Sequence, residues 1–508
     1  MKKVVNSKQM KAIDAYTIET VTLPAMVLME RAALQVTECI KKYSSKKDRI
    51  LAVCGIGNNG ADGIATARIL IMDGYLVDIL IVGDEHAASL EAKQQLTIAR
   101  NLGISIYSNL KISEYTIIID AIFGIGLSRP VVGFNENMIK TINAGDYQVF
   151  AIDIPSGLSA DTAKPMNIAV KANYTITFGL NKLGLILHPG CEYAGEVIIA
   201  DIGFPQSAIE AAKPNCFIYE STDMKKLPVR KEYSNKGTYG KVLIIAGSIN
   251  MSGACFFSAK AAYRTGAGLV KVMTVADNRM VMQTLLPEAI LSTYDPNLLM
   301  DSTEIEEIKA EIEWATVIVI GPGIGVNQKS EQLLDLVVQN TKVPVIIDAD
   351  GINIVANKMS TKRNRFQDIA AYLPEQTILT PHLKELSRLI GIPIEEIVSD
   401  LIETANKCTN NNRLIYTMKD ARTIVAYENM RYINTTGNSG MATAGSGDIL
   451  TGIIAALIAQ GLTPCEATML GVYIHGLAGD KAAEQKGKYA LIASDIVEAL
   501  AEVCNLMC

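Results

Sequence analysis

The stretch Gly437-Asn438-Ser439-Gly440-Met441-Ala442-Thr443-Ala444-Gly445-Ser446-Gly447-Asp448 decides how the second half of this chain is interpreted. It leads directly into an apolar run, 449–459, which predicts a buried helix. Glycines let backbone N–H groups crowd around an anion at the positive end of such a helix. A carboxylate at Asp448 would repel a bound phosphate, so it is better explained as a base that removes a proton from a hydroxyl. The alternative is a tight loop in which Asp448 only caps the helix.

Apolar strand-like runs alternate with helical patterns along the whole chain. Strands are predicted first at 50–54, 76–82, 116–120, 148–153, 174–178 and 196–201, after a helical stretch at 7–43 that is interrupted near Leu23-Pro24. Further strands are predicted at 241–248, 269–275, 316–320, 343–348, 377–379 and 414–417, followed by a hairpin at 422–427 and 430–433 and by helices at 448–460, 464–485 and 494–504. Short strands separated by helices indicate parallel, doubly wound sheets. The predicted fold class is α/β, with two three-layer α/β/α domains, of which the first is Rossmann-like.

The alternation stops between residues 213 and 235, where Pro214, Pro228 and several charges replace the apolar runs. A chain of 508 residues is too long for a single core. We therefore predict one domain at 1–215 and a second at 225–508. No internal repeat relates the two.

Composition excludes some classes of partner. The net charge of −6 argues against nucleic acid as a general partner. The first eight residues have no apolar core, and the longest apolar runs hold only about a dozen residues, too few to span a bilayer. The nine cysteines include no C-x-x-C pair. We expect a cytoplasmic homo-oligomer that binds small molecules, with no nucleic-acid and no membrane partner.

A glycine-rich loop, Gly55-Ile56-Gly57-Asn58-Asn59-Gly60-Ala61-Asp62-Gly63, follows the first strand and opens a helix. This context satisfies G-x-G-x-x-G and predicts a nucleotide site at the strand ends. Because Asp84 and Glu85 follow the next strand, a dehydrogenase remains possible. The adjacent asparagines and Asp62 add oxygens that suit a cation or a ribose.

Two further strands of the first domain end in carboxylates, at Asp120 and Asp153. Neighbouring ends of parallel strands would bring both beside the glycine loop, in the usual ligand crevice. One carboxylate could hold a cation while the other handles protons. The alternative is that each only caps the helix after it.

These motifs in their order resemble the NAD(P)H-hydrate epimerase family over residues 5 to 210: Met10, Asp14, Leu28-Met29-Glu30, the 57–63 loop, the 123–127 loop and the 151–158 run. The resemblance implies that substrate contacts Asn58, Asn59, Gly60, Ala61, Asp62, Gly124, Ile125, Gly126, Leu127, Ser128, Arg129, Pro130 and Asp153. It also implies K⁺ at Asn59, Asp120 and Ser156. From its position alone, Asp153 is our candidate for the catalytic base.

In the second half, short polar segments lie at predicted strand ends and would form one cleft, which is where α/β sheets bind ligands. Together with the 437–448 loop, the segments 236–241, 246–248, 320–325 and 379–382 resemble ADP/ATP-dependent NAD(P)H-hydrate dehydratases, which have a ribokinase-like fold. The resemblance covers about 230 to 505. It implies that Ala254, Gly323, His382 and Asp448 bind the substrate. It implies that Lys419, Asp420, Ala421, Arg422, Thr423 and Gly447 hold ADP or ATP with Mg²⁺.

Together the resemblances imply a repair enzyme for hydrated NADH and NADPH. The first domain would interconvert the R and S forms. The second would dehydrate the S form at the expense of ADP (or ATP), giving AMP (or ADP) and phosphate, because phosphorylation turns a poor leaving group into a good one. The alternatives are a ribokinase-like small-molecule kinase with an accessory nucleotide-binding domain, and a first domain that serves only as a binding or scaffold module.

Overall fold

The computed structural model describes residues 1–298 and 300–505, and Cys508, the last of the nine cysteines, lies outside these ranges. Contacts divide the chain into two compact units. The N-terminal unit is Lys3–Asn215, and the C-terminal unit is Cys216–Cys508 together with Met1–Lys2. No helix in the described ranges has the length and apolar character needed to cross a membrane.

The N-terminal unit alternates strands with helices along most of its length. Its strands are β1 (Lys2–Val5), β2 (Arg49–Cys54), β3 (Leu76–Ile81), β4 (Ile106–Tyr107), β5 (Ile117–Ala121), β6 (Gln148–Ile152), β7 (Tyr174–Phe178), β8 (Asn181–Lys182) and β9 (Glu196–Ala200). Its helices are α1 (Ser7–Ala15), continued by a π-helical turn, α2 (Ala25–Tyr43), α3 (Asn58–Met72), α4 (Leu90–Asn101), α5 (Phe134–Ala144), α6 (Leu183–Ile186), α7 (Gly190–Ala194) and α8 (Gln206–Ala211).

Seven of these strands form a parallel sheet in the order β4-β3-β2-β5-β6-β7-β9. Alternate residues of β2 serve opposite faces: Ala52 packs with α2, α3 and α4, and Leu51 packs with α5. The strand order reverses between β2 and β5, which opens a crevice at their carboxyl ends. This three-layer arrangement agrees with the Rossmann-like fold predicted for the first domain.

The C-terminal unit has a second α/β series. Its strands are β10 (Cys216–Ile218), β11 (Lys241–Ile245), β12 (Leu269–Val275), β13 (Ile290–Tyr294), β14 (Val317–Ile320), β15 (Val345–Ile347), β16 (Ile378–Leu379), β17 (Ile415–Met418), β18 (Ile424–Tyr427) and β19 (Met430–Ile433). Its helices are α9 (Ser252–Arg264), α10 (Arg279–Leu285), α11 (Ser302–Trp314), α12 (Gln328–Asn340), α13 (Asp350–Met359), α14 (Arg365–Tyr372), α15 (Leu383–Ile390), α16 (Ile394–Ser399), α17 (Leu401–Thr409), α18 (Ser446–Ala459), α19 (Pro464–Lys486) and α20 (Ala493–Asn505).

In this unit the strand order is β13-β12-β11-β14-β15-β16-β17-β18-β19-β10, and the order reverses between β11 and β14. Strands β11 to β17 are parallel, whereas the β18–β19 hairpin runs antiparallel beside β17. On one face of β11, Val242 and Ile244 join a core with α9, α18, α19 and α20. Leu243 and Ile245 on the other face are also fully buried. Both faces of the sheet are therefore covered, as a parallel sheet requires.

Helix α18 lies in the middle of this core and approaches α9 closely through Gly452. A Cβ at that position would overlap the backbone carbonyl oxygen of Ser258 on α9. The Ser258 hydroxyl also donates a hydrogen bond of 3.0 Å to the backbone oxygen of Asp448. The packing of α18 against α9 thus fixes where the first turn of α18 lies along the helix axis and how that turn is rotated about it.

The predicted long strands and helices are confirmed, with ends that shift by a few residues. Five short strands were missed: β1, β4, β8, β10 and β13. Four of them have two to four residues, too few to show a period, and β13 is an edge strand with two polar residues in five. The segment 213–235, where the alternation was expected to stop, contains one of these missed strands, β10, which pairs in parallel with β19.

Substituting Gly452 by alanine should lower the free energy of unfolding of the C-terminal unit by about 1–3 kcal/mol, because the added methyl group must push α9 away. Urea unfolding measures this change. Gly253→Ala on α9 is the matched control, since only Phe257 lies near its Cβ position, at 4.0 Å. A Gly452→Ala protein as stable as the control would contradict the close packing described here.

Candidate active sites

In the C-terminal unit, the loop before α18 turns into the helix through a left-handed glycine. Gly445 has φ +92° and is followed directly by Ser446, the first residue of α18. Asp448 therefore lies in the first turn, at the positive end of a helix of 14 residues. Here the structure agrees with the arrangement expected from sequence.

The far end of the same loop is held by Asp480 on α19. Its carboxylate accepts hydrogen bonds of 2.8 Å from the Gly437 backbone N–H and 2.9 Å from the Asn438 side chain. The Asn438 side chain in turn accepts a hydrogen bond from Gly440 N–H at 3.0 Å. Sequence reasoning missed Asp480. The available signal was that Asp480 is the one acid in the mostly apolar stretch 467–483.

A buried ion pair faces the start of α18. Lys419 Nζ, after β17, lies 2.8 Å from Asp348 Oδ1, after β15, and the Thr380 hydroxyl donates to the same oxygen at 2.7 Å. A Cβ on Gly447 would lie 3.3 Å from Lys419 Nζ and 3.8 Å from Asp348 Oδ2. Because Gly447 has no side chain, nothing at that position separates the Lys419 ammonium from the N-terminal end of α18.

The Asp448 carboxyl lies close to this pair but accepts no hydrogen bond from the described residues. Its pKa is raised to about 7, first by burial and then by the nearby Asp348 carboxylate, while the Lys419 ammonium opposes both. A carboxyl group with this pKa exchanges a proton readily at neutral pH. It is suited to act as a general base.

His382 lies at the same edge of the sheet and caps α15. Its Nδ1 accepts hydrogen bonds from the backbone N–H groups of Lys384 and Glu385, and its Nε2 lies 3.2 Å from Glu385 Oε1. Burial lowers its pKa, and Lys419 adds to the effect, so the ring is neutral with Nδ1 as an acceptor. The side chain is half exposed beside Lys419, and its role in substrate binding stays a prediction.

The other predicted residues of this site fall into two groups. Gly323 and Ala254 are neighbours, since a Cβ on Gly323 would lie 2.9 Å from the Ala254 Cβ. The predicted nucleotide segment Asp420, Ala421, Arg422 and Thr423 forms the turn between β17 and β18, where Arg422 donates a hydrogen bond of 2.9 Å to the Thr435 backbone oxygen. His475 lies beneath α18, where its Nε2 is 3.2 Å from the Ser446 hydroxyl.

The N-terminal unit contains a cavity of about 630 Å³ at the carboxyl ends of β2, β3, β5, β6 and β7. Of the residues predicted to bind substrate, those that line it are Asn58, Asn59, Asp62, Gly124, Ile125, Gly126, Leu127, Ser128, Arg129 and Asp153. Gly60, Ala61 and Pro130 are not part of the lining. Gly60 packs against the Gly55 backbone, Ala61 is buried beside Met29, and Pro130 is exposed.

The predicted potassium ligands lie at the β5 and β6 ends of this unit. Asp120 is fully buried and accepts hydrogen bonds from the backbone N–H groups of Ser156 at 2.7 Å and Ile122 at 3.4 Å. Burial raises its pKa to about 6, and the Ser156 hydrogen bonds oppose that change. Asn59 lies against Gly124, and its buried amide nitrogen has no hydrogen-bond partner among the described residues. A half-turn of the amide exchanges its oxygen and nitrogen, so the oxygen can point towards an ion.

Asp153, after β6, is held in a left-handed conformation with φ +65°. Its Oδ1 accepts hydrogen bonds from Lys182 Nζ at 2.7 Å and from the Thr177 hydroxyl at 3.2 Å. Lys182 is fully buried, and sequence reasoning missed it. A lone lysine just before the apolar run 183–187 was the signal that could have found it.

Comparisons with known proteins assign a family to each half of the chain. Residues 242–502 match the NAD(P)H-hydrate dehydratase family, and residues 25–184 match the family described as YjeF-related protein N-terminus. The bifunctional NAD(P)H-hydrate repair enzyme of Moorella thermoacetica is 33% identical over 98% of this chain and 96% of its own length. The enzyme of the same name from Thermofilum pendens is 32% identical over 98% of this chain and 95% of its own length.

Among solved structures, a ribokinase-like superfamily protein from Enterococcus faecalis is similar to 57% of this chain and 96% of its own, with 28% identity and a TM-score of 0.51. This similarity confirms the ribokinase-like fold predicted for the second domain. The full-length relatives and the two family matches lead to one conclusion: the chain belongs to the family of bifunctional NAD(P)H-hydrate repair enzymes.

Proposed function

We propose that this chain repairs hydrated NADH and NADPH with two activities. The N-terminal unit interconverts the R and S forms, and the C-terminal unit dehydrates the S form at the expense of ADP or ATP, giving AMP or ADP and phosphate. The observation that supports this proposal most directly is the partly buried Asp448 carboxyl in the first turn of α18, beside the Lys419 ammonium. A base next to an anion-binding helix end is what phosphoryl transfer to a hydroxyl requires.

In the proposed dehydration, Asp448 takes the proton from the C6 hydroxyl as the hydroxyl oxygen attacks the terminal phosphorus of the nucleotide. Backbone N–H groups of the 445–448 turn and the Lys419 ammonium stabilise the charge that develops on the phosphoryl oxygens. Mg²⁺ accompanies the nucleotide and neutralises its phosphates. The C6–O bond then breaks and phosphate leaves as the ring nitrogen lone pair forms a C6=N bond. Loss of a proton from C5 forms the C5=C6 bond, returns the electron pair to nitrogen and restores the dihydronicotinamide.

His382, Ala254 and Gly323 are proposed to contact the substrate ring, and the 419–423 turn with Gly447 is proposed to hold the nucleotide. The open space above Gly447 supports this placement, because a side chain there would approach Lys419 Nζ. The capping hydrogen bonds of His382 leave its ring in one tautomer. A ring that is fixed in this way can orient a substrate without exchanging protons.

For the N-terminal unit we propose a K⁺ ion held by Asn59, Asp120 and Ser156. The residues fit such an ion: each has a side-chain oxygen, the Asp120 carboxylate is buried without an ion-pair partner among the described residues, and the Asn59 amide nitrogen has no hydrogen-bond partner there that would stop the amide from turning its oxygen to the ion. Bound there, K⁺ would supply the positive charge that a buried carboxylate needs. The cytoplasmic location and the homo-oligomer expected from sequence stay predictions.

Replacing Asp448 by asparagine should reduce nucleotide-dependent dehydration by about 100- to 10,000-fold, because the amide cannot accept the hydroxyl proton. The rate of return of dihydronicotinamide absorbance measures this loss. Asp368→Asn, an acid in the first turn of α14, is the matched control. Epimer interconversion by the same protein shows that its N-terminal unit is folded, and normal dehydration by Asp448→Asn would refute the proposed base.

Dehydration should also depend on pH through Asp448. A base works when it is ionised, so kcat/KM should rise as pH increases through about 7, the raised pKa of this carboxyl. Because the Lys419 cation lowers that pKa, Lys419→Met should move the rise to higher pH. Normalised pH profiles measure the shift, with the exposed Lys342→Met as control. A shift to lower pH would contradict the assignment.

Potassium should stabilise the N-terminal unit by mass action, by about 2.7 kcal/mol at a concentration 100 times its Kd. Thermal unfolding in KCl against tetramethylammonium chloride at equal ionic strength measures this effect. Asp120→Asn should abolish the difference, whereas Asp78→Asn on β3, a partly buried acid of the same unit that is absent from the cavity lining, should keep it. Equal stabilisation of both variants would place the ion elsewhere.

A further inference from the structure

The buried Lys182 ammonium uses all three of its protons within the protein. Its Nζ donates to Asp153 Oδ1 at 2.7 Å, to the Thr177 hydroxyl at 2.7 Å and to the Phe178 backbone oxygen at 2.9 Å. Lys182 therefore has no proton left to donate to a substrate. What it does is hold one oxygen of Asp153 in place.

The second oxygen of Asp153 remains available. Oδ2 accepts no hydrogen bond from any described residue, and the side chain is 13% exposed where it lines the cavity. A carboxylate that is tied at one oxygen and free at the other can exchange a proton only through the free one. Asp153 thus offers one proton-transfer atom to the cavity.

A second carboxyl group, Asp14, lines the same cavity from a different element. It lies on α1, and the strand before α1, β1, pairs with β8 so that Val5 is opposite Lys182. The described residues give the Asp14 carboxyl no hydrogen bond and no ion pair. Its pKa is raised to about 6, first by burial and then by Asp153, while Lys182 opposes the change. The two carboxyl groups therefore line one cavity and interact electrostatically.

Epimerisation at C6 needs two proton transfers. In the first, a carboxylic acid gives its proton to the C6 hydroxyl, the C–O bond breaks with its electron pair on oxygen, and water leaves as the ring nitrogen lone pair forms a C=N bond. In the second, water attacks the opposite face of C6, the C=N electrons return to nitrogen, and a carboxylate takes the proton that water loses. A single carboxyl group on one face of the ring is poorly placed to serve both proton transfers.

We propose that Asp14 is a second catalytic residue of epimerisation, which works opposite Asp153, and that Lys182 is the positioning residue that leaves only Asp153 Oδ2 free. This inference rests on the proposed epimerase function of the N-terminal unit. In the R-to-S direction one of the pair donates and the other accepts, and in the reverse direction the roles exchange.

The other charged groups that line the cavity are Lys11, Asp62, Glu91 and Arg129. Burial raises the pKa of Asp62 well above its usual range, and Asp153 and Asp14 add to that shift. That shift favours the protonated form of Asp62, which can donate a hydrogen bond. Asp14 has a pKa of about 6, so near neutral pH it can alternate between acid and base.

The test follows separated epimers of hydrated NADH with the full-length protein and no nucleotide, after subtraction of the uncatalysed rate. Asp14→Asn should lower kcat for interconversion by about 100-fold or more, with KM changed less than threefold. Asp14→Glu should recover part of the rate. Asp78→Asn, which alters a partly buried carboxyl group of the same unit outside the cavity lining, should keep the wild-type rate. Dehydration of the S epimer with ATP, measured on each variant, reports that the chain is intact.

Three results would overturn the inference. If Asp14→Asn interconverts epimers within about threefold of wild type, Asp14 is not catalytic while the epimerase function stands. If Asp14→Asn lowers kcat/KM by raising KM and leaves kcat unchanged, Asp14 binds substrate but is not catalytic. If the wild-type protein does not interconvert epimers at all, the proposed epimerase function fails and this inference fails with it.

Discussion

Both sites depend on the side-chain carboxyl groups of aspartates. The fold shields these groups from water near the edge of the sheet where the parallel strands end. Removing a carboxylate from water is costly unless a cation or hydrogen bonds compensate, so a buried carboxyl without compensation holds its proton more tightly. Asp448 and Asp14 receive no hydrogen bond from the described residues, and burial raises the pKa of each towards neutrality. The sheets that create the crevices therefore also set the acid–base chemistry available in them.

Each unit pairs a lysine with an aspartate at its strand ends, but the two pairs leave different groups free. Lys182 donates to three protein acceptors, so in that pair the free group is an oxygen of Asp153. Lys419 has one acceptor among the described residues, Asp348 Oδ1, and faces the open position above Gly447. The first arrangement presents a carboxylate oxygen for proton transfer. The second presents a cation to an anionic ligand, as phosphoryl transfer requires.

Much of this could be predicted from the sequence, because long apolar strands, glycine loops and acids at strand ends have local patterns. The fold class and the place of Asp448 in the first turn of α18 were predicted in this way. Contacts between distant segments could not be. Asp480 reaches the loop from 43 residues away, and Lys182 meets Asp153 from 29 residues away because β7 pairs with β6 and leads into β8. The inward packing of Gly60 and Ala61 also depends on neighbours that no motif shows.

The most direct measurement of the central claim uses the wild-type protein with an epimer mixture of hydrated NADH, Mg²⁺ and either ADP or ATP. Dihydronicotinamide absorbance and inorganic phosphate are followed together. The account predicts that the whole mixture returns to NADH, with one phosphate released for each NADH formed. A phosphorylated product that accumulates without the return of NADH would contradict it, and would indicate a kinase that stops at phosphoryl transfer.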